Sequence, residues 1–357
     1  MNHSIKDKHF YILLLCCFFY SCKKQTTIVT QTTKSIAIKG ADASYLPSIR
    51  QSGIRLYNRN NVQEDMLVTL KNAGVNTIRL RLWKQPNEQG SDFNSVKLLA
   101  SECHQYGLKV LLSVHYSDTW ADPSQQAKPS QWQGISINQM NDSISVYTTK
   151  IMNEIQPDFI QIGNEINNGL LWPEGSITNI ETMKSFINTA IQSVRQNNTS
   201  TKIVLHFAGF ENAVNFYSNF TDVDYDIIGL SYYPIWHGKD LTVLKNNLYT
   251  ISNTFNKNTL IVETSYPFTL GWNDWTNNII GLNSQILPEF PASPDGQKNY
   301  LTKIKDIVTT TPNCLGFCYW GAEWVSFRGD TASNGSSWEN QAFWDFNKKA
   351  LPILDGY

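Results

Sequence analysis

Short apolar runs alternate along this chain with longer stretches in which apolar residues return every three or four positions. The runs at 35–39, 77–82, 109–115, 159–162, 202–207, 227–231, 260–263 and 315–320 read as strands, because each is short, apolar and bounded by polar or glycine positions. The stretches at 61–73, 94–106, 136–155, 180–195, 211–219, 240–255 and 295–308 carry helical spacing. Val62, Met66, Leu70 and Ala73 fall on one face of the first, and Leu301, Ile304, Ile307 and Val308 on one face of the last. Eight β units separated by helices predict an α/β fold, a single (β/α)8 TIM barrel with its chemistry at the carboxyl ends of the strands. A doubly wound open sheet shares the alternation, but no glycine-rich dinucleotide turn follows the first strand.

The alternation gives way at the N-terminus. Lys6 and Lys8 precede an apolar run at 10–20 that is too short to span a bilayer, so residues 1–21 read as a signal peptide. The run ends in Ser21-Cys22-Lys23-Lys24, which resembles a bacterial lipoprotein processing site with Cys22 as the lipidated first residue; an ordinary secreted protein cut nearby is the alternative. Residues 22–34, rich in Thr and Gln, then form a polar tether, and 35–357 form the barrel. The protein is therefore expected to be exported and held to the cell envelope by lipid alone, or else secreted or periplasmic. Of six cysteines, Cys16, Cys17 and Cys22 belong to the leader. Cys103, Cys314 and Cys318 remain, too few for a disulfide scaffold and without the His/Cys cluster of a zinc site, so they read as buried small apolar residues.

Composition narrows the partner. With 29 Lys and Arg against 30 Asp and Glu the net charge is -1, which removes nucleic acid as an expected partner. Aromatic residues reach 12%, with 11 Trp, a supply that suits stacking on flat apolar ligand faces as well as a core.

The strand ends are the polar places. They carry Asp42 and Ser44, Arg79 and Arg81 before Trp83, His115, Asn164-Glu165, His206, Ser231-Tyr232-Tyr233, Glu263, and Tyr319-Trp320. A charge buried at a strand end is costly unless paired, so their convergence on one mouth points to one site. Glu165 and Glu263 each follow an apolar strand directly, on strands four and seven, nearly across the mouth from one another. Two carboxylates flanking a sugar ring form a minimal glycosidase: one protonates the departing oxygen, while the other attacks the anomeric carbon or activates water. Arg79 or Arg81 nearby would favour the ionised form of whichever Glu acts as nucleophile.

At these residues the chain resembles glycoside hydrolase family 53, the arabinogalactan endo-β-1,4-galactanases. The resemblance lies in Gly40-Ala41-Asp42-Ala43-Ser44, Arg79-Leu80-Arg81-Leu82-Trp83, the run from His115 to Pro123, Gly163-Asn164-Glu165, Leu171-Trp172-Pro173-Glu174-Gly175, Ser231-Tyr232-Tyr233-Pro234, Val262-Glu263-Thr264-Ser265-Tyr266-Pro267 and Phe317-Cys318-Tyr319-Trp320. It implies hydrolysis of internal β-1,4-galactosidic bonds of pectic galactan with retention, Glu165 as acid/base and Glu263 as nucleophile. It also implies that Asn164 holds the sugar 2-hydroxyl, that Arg79 or Arg81 and His115 orient Glu263, and that Trp320 floors the cleavage subsite. Asp42, Tyr232, Trp83, Trp120, Trp172, Trp236 and Trp338 are further candidates for sugar contacts.

No cofactor is required for this chemistry. Some members of the family bind a structural calcium in the loop after strand seven. Here that loop reads Gly271-Trp272-Asn273-Asp274-Trp275-Thr276-Asn277-Asn278, so a retained metal site would lean on Asp274, Asn273, Asn278 and backbone carbonyls. After Trp320 the chain reads Gly321-Ala322-Glu323-Trp324 in place of the family's acidic-proline pair. Two other readings stand beside the galactanase: a galactan-binding surface lipoprotein that has lost the chemistry, and a barrel glycosidase of another specificity, such as a xylanase or mannanase.

Overall fold

In the computed structural model, which describes Met1 and residues 35–88 and 90–357, strands and helices alternate as the apolar pattern requires. The strands are β1 (Ile38–Asp42), β2 (Thr77–Leu82), β3 (Lys109–Val114), β4 (Phe159–Ile162), β5 (Lys202–Ala208), β6 (Ile227–Tyr232), β7 (Asn258–Thr264) and β8 (Cys314–Tyr319). Each pairs in parallel with the next and β8 pairs with β1, closing the barrel. The helices are α1 (Leu46–Gln51), α2 (Met66–Asn72), α3 (Phe93–Gln105), α4 (Ile137–Glu154), α5 (Ile180–Asn197), α6 (Ala213–Ser218), α7 (Pro234–His237), α8 (Leu241–Phe255) and α9 (Pro294–Thr310). The described residues from 35 onward form one compact unit. The leader, Cys22 and the tether at 22–34 lie outside the described residues, among which no helix is long and apolar enough to cross a membrane.

Local chemistry sets the helix starts. The Asp65, Asp92 and Asp240 carboxylates accept from backbone amides in the first turns of α2, α3 and α8, and Ser136 opens α4 through a reciprocal capping box with Gln139. The Asp65 cap explains why α2 begins at Met66 and not at 61: Asn58 instead organises a turn whose flanks pair through Tyr57 and Gln63. Along α5, Met183, Phe186, Ile187, Ala190, Ile191 and Val194 form the buried stripe facing the barrel wall. The first strand lies three residues later than the apolar run suggests, because Gly40, Ala41 and Asp42 continue the ladder with β2. The short helices α1 and α7 carry too little periodicity to be read from sequence.

Inside the barrel, side chains alternate in and out along each strand. A small apolar cluster drawn from strands alone fills its lower part: Ile38, Leu111, Phe159, Val204, Ile227, Leu260, Val262 and Cys318. Continuing inward by twos from these positions reaches Asp42, Ser113, Gln161, His206 and Ser231, with Arg79 contributed by β2. A polar layer therefore sits on an apolar floor. Cys103, Cys314 and Cys318 are buried, as small apolar residues would be.

The outer core rests on the helix stripes, so truncating one should cost the fold without touching the mouth. Phe186→Ala, at a fully buried position, is expected to lose about 3–5 kcal/mol in chemical denaturation. Leu98→Ala on the exposed face of α3 should stay within about 0.5 kcal/mol. Similar losses in the two would contradict this packing.

Candidate active site

Two backbone irregularities aim the carboxylates. After β4 the chain turns through Gly163 at φ +75°, where a β-carbon would meet Ile166 Cγ2 at 2.5 Å, so the position accepts only glycine. Glu165 itself is held left-handed at φ 46°, a conformation that non-glycine residues seldom adopt outside functional sites. On the opposite wall, the pairing of β6 with β7 runs Leu230 to Ile261 but Ser231 to Glu263, leaving Val262 as a bulged extra residue. Val262 belongs to the barrel's inner cluster, and the bulge lets Glu263, its immediate neighbour, face the mouth as well.

Both carboxylates reach a cleft of about 1120 Å³ at the carboxyl ends of the strands. An oxygen of Glu165, an oxygen of Glu263 and a ring nitrogen of His206 all lie within 4.8 Å of one another. Glu263 is fixed at both oxygens: Arg79 Nη2 donates to Oε1 at 2.7 Å and the Tyr233 hydroxyl donates to Oε2 at 2.9 Å. Arg79 is 2% exposed and also donates to Asp42 at 3.2 Å and to Asn164 Oδ1 at 2.9 Å. Glu165 Oε1 accepts from the Ser231 hydroxyl at 2.5 Å, and Ser231 Oγ lies 2.8 Å from His206 Nε2.

These contacts divide the charge unequally. Burial, reinforced by the charge of Glu263, pushes the Glu165 carboxyl up to about 8. Burial raises Glu263 too, but the Arg79 guanidinium and the Tyr233 hydroxyl oppose that rise. Glu263 is thus the member of the pair that ionises first, and Glu165 the one that keeps a proton at neutral pH. The site can present a carboxylate and a carboxylic acid to the same small volume.

Aromatic rings wall the cleft. Trp320 packs edge-on to Trp338 at 4.4 Å and tilted against Trp324 at 5.1 Å, while Trp120 meets Trp83 at 5.2 Å. Trp236, more than half exposed, extends the wall outward from Tyr233. The cleft thus collects Asn164, Trp83, Trp120, Trp236, Trp320 and Trp338 from the sequence candidates.

Other candidates stand elsewhere. Asp42 lies beneath the cleft, held by Arg79 and by Ser44. Of the two arginines, Arg79 meets Glu263; Arg81, one layer further along the strand, bonds to Ser91 and stacks its guanidinium 4.1 Å over Trp120 and 4.4 Å over Trp83. His115 does not orient Glu263 either: its Nδ1 accepts from Trp83 Nε1 and from the Ala121 amide, so it braces the aromatic wall. Tyr232 points outward to the Gly238 carbonyl, because strand alternation gives the inward positions to Ser231 and Tyr233. Trp172 caps its own loop through the Asn168 carbonyl and does not line the cleft.

Sequence reasoning did not place Tyr233, Ser231 or His206 in the site's machinery. All three stand at strand ends in the sequence, but only the alternation along β6 shows which of two adjacent tyrosines faces in. Glu323, three residues beyond Trp320, is fully buried and accepts from the Tyr45 amide, and burial with the nearby Asp42 charge pushes its carboxyl well above the usual range.

The loop after β7 is held by its own side-chain hydrogen bonds. Asp274 Oδ1 accepts from the Thr276 amide and Oδ2 from Ser326 Oγ and the Ser336 amide, while Asn278 Nδ2 donates to the Gly271 carbonyl. Asp274 thereby ties this loop to the segment after β8 by hydrogen bonds. Among the described residues, Glu165, His206 and Glu263 form the one group close enough to share a metal ion. There the Arg79 cation already occupies Glu263, which disfavours a second positive charge.

Over residues 38–356 the chain matches the family model described as Glycosyl hydrolase family 53. It is 34% identical over 336 residues to an arabinogalactan endo-β-1,4-galactanase of Cellvibrio japonicus, covering 88% of this chain and 89% of that protein. Among solved structures it is similar to the GH53 catalytic domain of Ignisphaera aggregans, with a TM-score of 0.84, 36% identity and coverage of 90% and 95%. It is also similar to the structure reported for two fungal β-1,4-galactanases, with a TM-score of 0.80, 26% identity and coverage of 90% and 99%.

The unequal division of charge is directly measurable. In carbon-13 NMR of Glu-labelled protein, one buried carboxyl should titrate near 8, and Glu263→Gln should lower that value by removing a neighbouring negative charge. A Glu165 signal that titrates in the ordinary carboxylate range, or is unmoved by Glu263→Gln, would contradict the assignment.

Proposed function

The chain belongs to glycosyl hydrolase family 53, and on that premise we propose that it is a retaining endo-β-1,4-galactanase acting on pectic galactan, with Glu165 as acid/base and Glu263 as nucleophile. The observation that carries the mechanism is the approach of the two carboxyl groups to within 4.8 Å. Retaining enzymes hold the pair about 5–5.5 Å apart, whereas inverting ones leave about 6.5–9.5 Å for a water. The substrate reading rests on the family and on the galactanases to which the chain is similar.

In the first step a Glu263 oxygen attacks the anomeric carbon, and the glycosidic bond breaks with its electron pair on the departing oxygen. That oxygen takes the Glu165 proton. Glycosylation removes the charge of Glu263, so the force that held the proton on Glu165 weakens and its carboxylate becomes a competent base. Glu165 then takes a proton from water as the water oxygen attacks the anomeric carbon, releasing the Glu263 carboxylate. Asn164, fixed through Oδ1 by Arg79 and Gln161 and through Nδ2 by the Ala121 carbonyl, stands beside Glu165 where a sugar hydroxyl would bind. The tryptophan walls offer apolar faces to the sugar rings and exclude water without adding charge, as suits a neutral polymer. Export through the leader, with a lipid on Cys22, would place this activity at the cell envelope.

Two readouts test the proposal together. Glu165→Gln and Glu263→Gln should each lower galactan hydrolysis by at least about 10²–10⁴-fold while leaving the melting temperature near that of the parent. Proton NMR of the parent reaction should show the β-anomer as first product. A first-formed α-anomer would exclude the double displacement, and cleavage of xylan or mannan in preference to galactan would exclude the substrate.

A further inference from the structure

The double displacement assigns no task to His206 on β5 or Ser231 on β6, both fully buried in the polar layer. Their hydrogen bonds have a direction. The Glu165 backbone amide donates to His206 Nδ1 at 3.4 Å. The same nitrogen lies 3.2 Å from Asn164 Oδ1, but that oxygen already accepts from Arg79 and from Gln161, each at 2.9 Å. Nδ1 therefore serves as the acceptor, and the imidazole proton resides on Nε2. Nε2–H then donates to Ser231 Oγ at 2.8 Å, which leaves the serine's own hydrogen for Glu165 Oε1 at 2.5 Å. Burial and the positive charge of Arg79 keep His206 neutral, so the chain His206 to Ser231 to Glu165 conveys orientation and no net charge.

We propose that Ser231, oriented by His206, is a positioning residue for the acid/base: its hydroxyl holds the ionised Glu165 carboxylate after the proton has gone to the leaving group. The inference rests on the reading of Glu165 as acid/base and adds the part that sets its proton affinity. A hydrogen bond donated to a carboxylate favours the ionised form. Ser231 thus opposes the burial and the Glu263 charge that hold the proton on Glu165, and keeps the group able to act in both directions.

Glu165 is faced by Arg79 from β2, Asp122 from the loop after β3, Glu263 from β7 and Tyr233 after β6. His206 is faced by Arg79, by His115 after β3 and by His237 on α7. All of these remain in the variants below, so a change in the pH profile reports the hydroxyl and its orienting partner.

The experiment is the pH dependence of kcat/KM on a soluble galacto-oligosaccharide. Activity requires protonated Glu165, so its basic limb follows that group. Ser231→Ala should move the basic limb upward by about one pH unit, the size expected for losing one hydrogen bond to a charged group. His206→Leu should move it in the same direction by less, because Ser231 then turns freely. Ser231→Thr, which restores the hydroxyl, and His206→Gln, which restores a donor near Nε2, should return the limb to the parent position. A limb that stays in place or moves downward in folded Ser231→Ala overturns the proposal. Should that variant fail to fold, an identical limb in His206→Leu and His206→Gln overturns it equally. Undiminished activity in Glu165→Gln would instead defeat the underlying acid/base reading, whereas a dead Glu165→Gln beside an unmoved limb defeats the positioning role alone.

Discussion

The arrangement depends on one buried cation. Arg79 stands almost without solvent among Asp42, Asn164 and Glu263, and each of its contacts settles something about the chemistry. It favours the ionised form of Glu263 against the burial that raises it, it fixes the amide beside Glu165, and Asp42 anchors it from below. A buried ion pair of this kind is poor evidence for stability, since desolvating its members costs about as much as their attraction returns. Its worth is positional. One guanidinium set against Asp42 and Glu263 is already outnumbered, so a further ionised carboxyl in the same volume is unfavourable, and Glu165 and Glu323 are both driven toward their neutral forms. The acid and the nucleophile of the proposed reaction thus follow from where a single positive charge can reach.

The scaffold delivers these groups by departing from regularity at two points. Unbroken alternation along β7 would send Glu263 outward once Val262 faces in; the bulge brings both inside. Regular geometry after β4 would carry Glu165 past the mouth, and the left-handed turn following Gly163 returns it. Neither feature helps the fold by itself. The apolar floor beneath and the helix stripes outside supply the stability that lets such strain persist.

Much of this was legible in the chain. Eight apolar runs with helical spacing between them fixed the barrel, and the boundaries of β2 and β4 fall where the runs do. The two glutamates were recognisable because each ends an apolar strand. What the sequence left open was geometry finer than one residue. Arg79 and Arg81 both face inward on one strand, and only their height along the barrel separates the group that meets Glu263 from the one that backs Trp120. Tyr232 and Tyr233 are chemically alike, and strand alternation alone decides between them. His115 sits in the most distinctive run of the chain, yet its ring supports a tryptophan wall and touches neither carboxylate. His206 was visible as a polar interruption in an apolar strand, but its meaning required the serine on the neighbouring strand, a contact that no spacing within the chain encodes.

In the proposed reaction Arg79 makes Glu263, and not Glu165, the group that bonds to the sugar. Incubation with an activated 2-deoxy-2-fluoro galactobioside, which slows release of the second step, followed by peptide mass spectrometry, reads this directly. A stoichiometric glycosyl adduct on the peptide containing Glu263 is expected. An adduct on Glu165, or turnover without any covalent species, would contradict it.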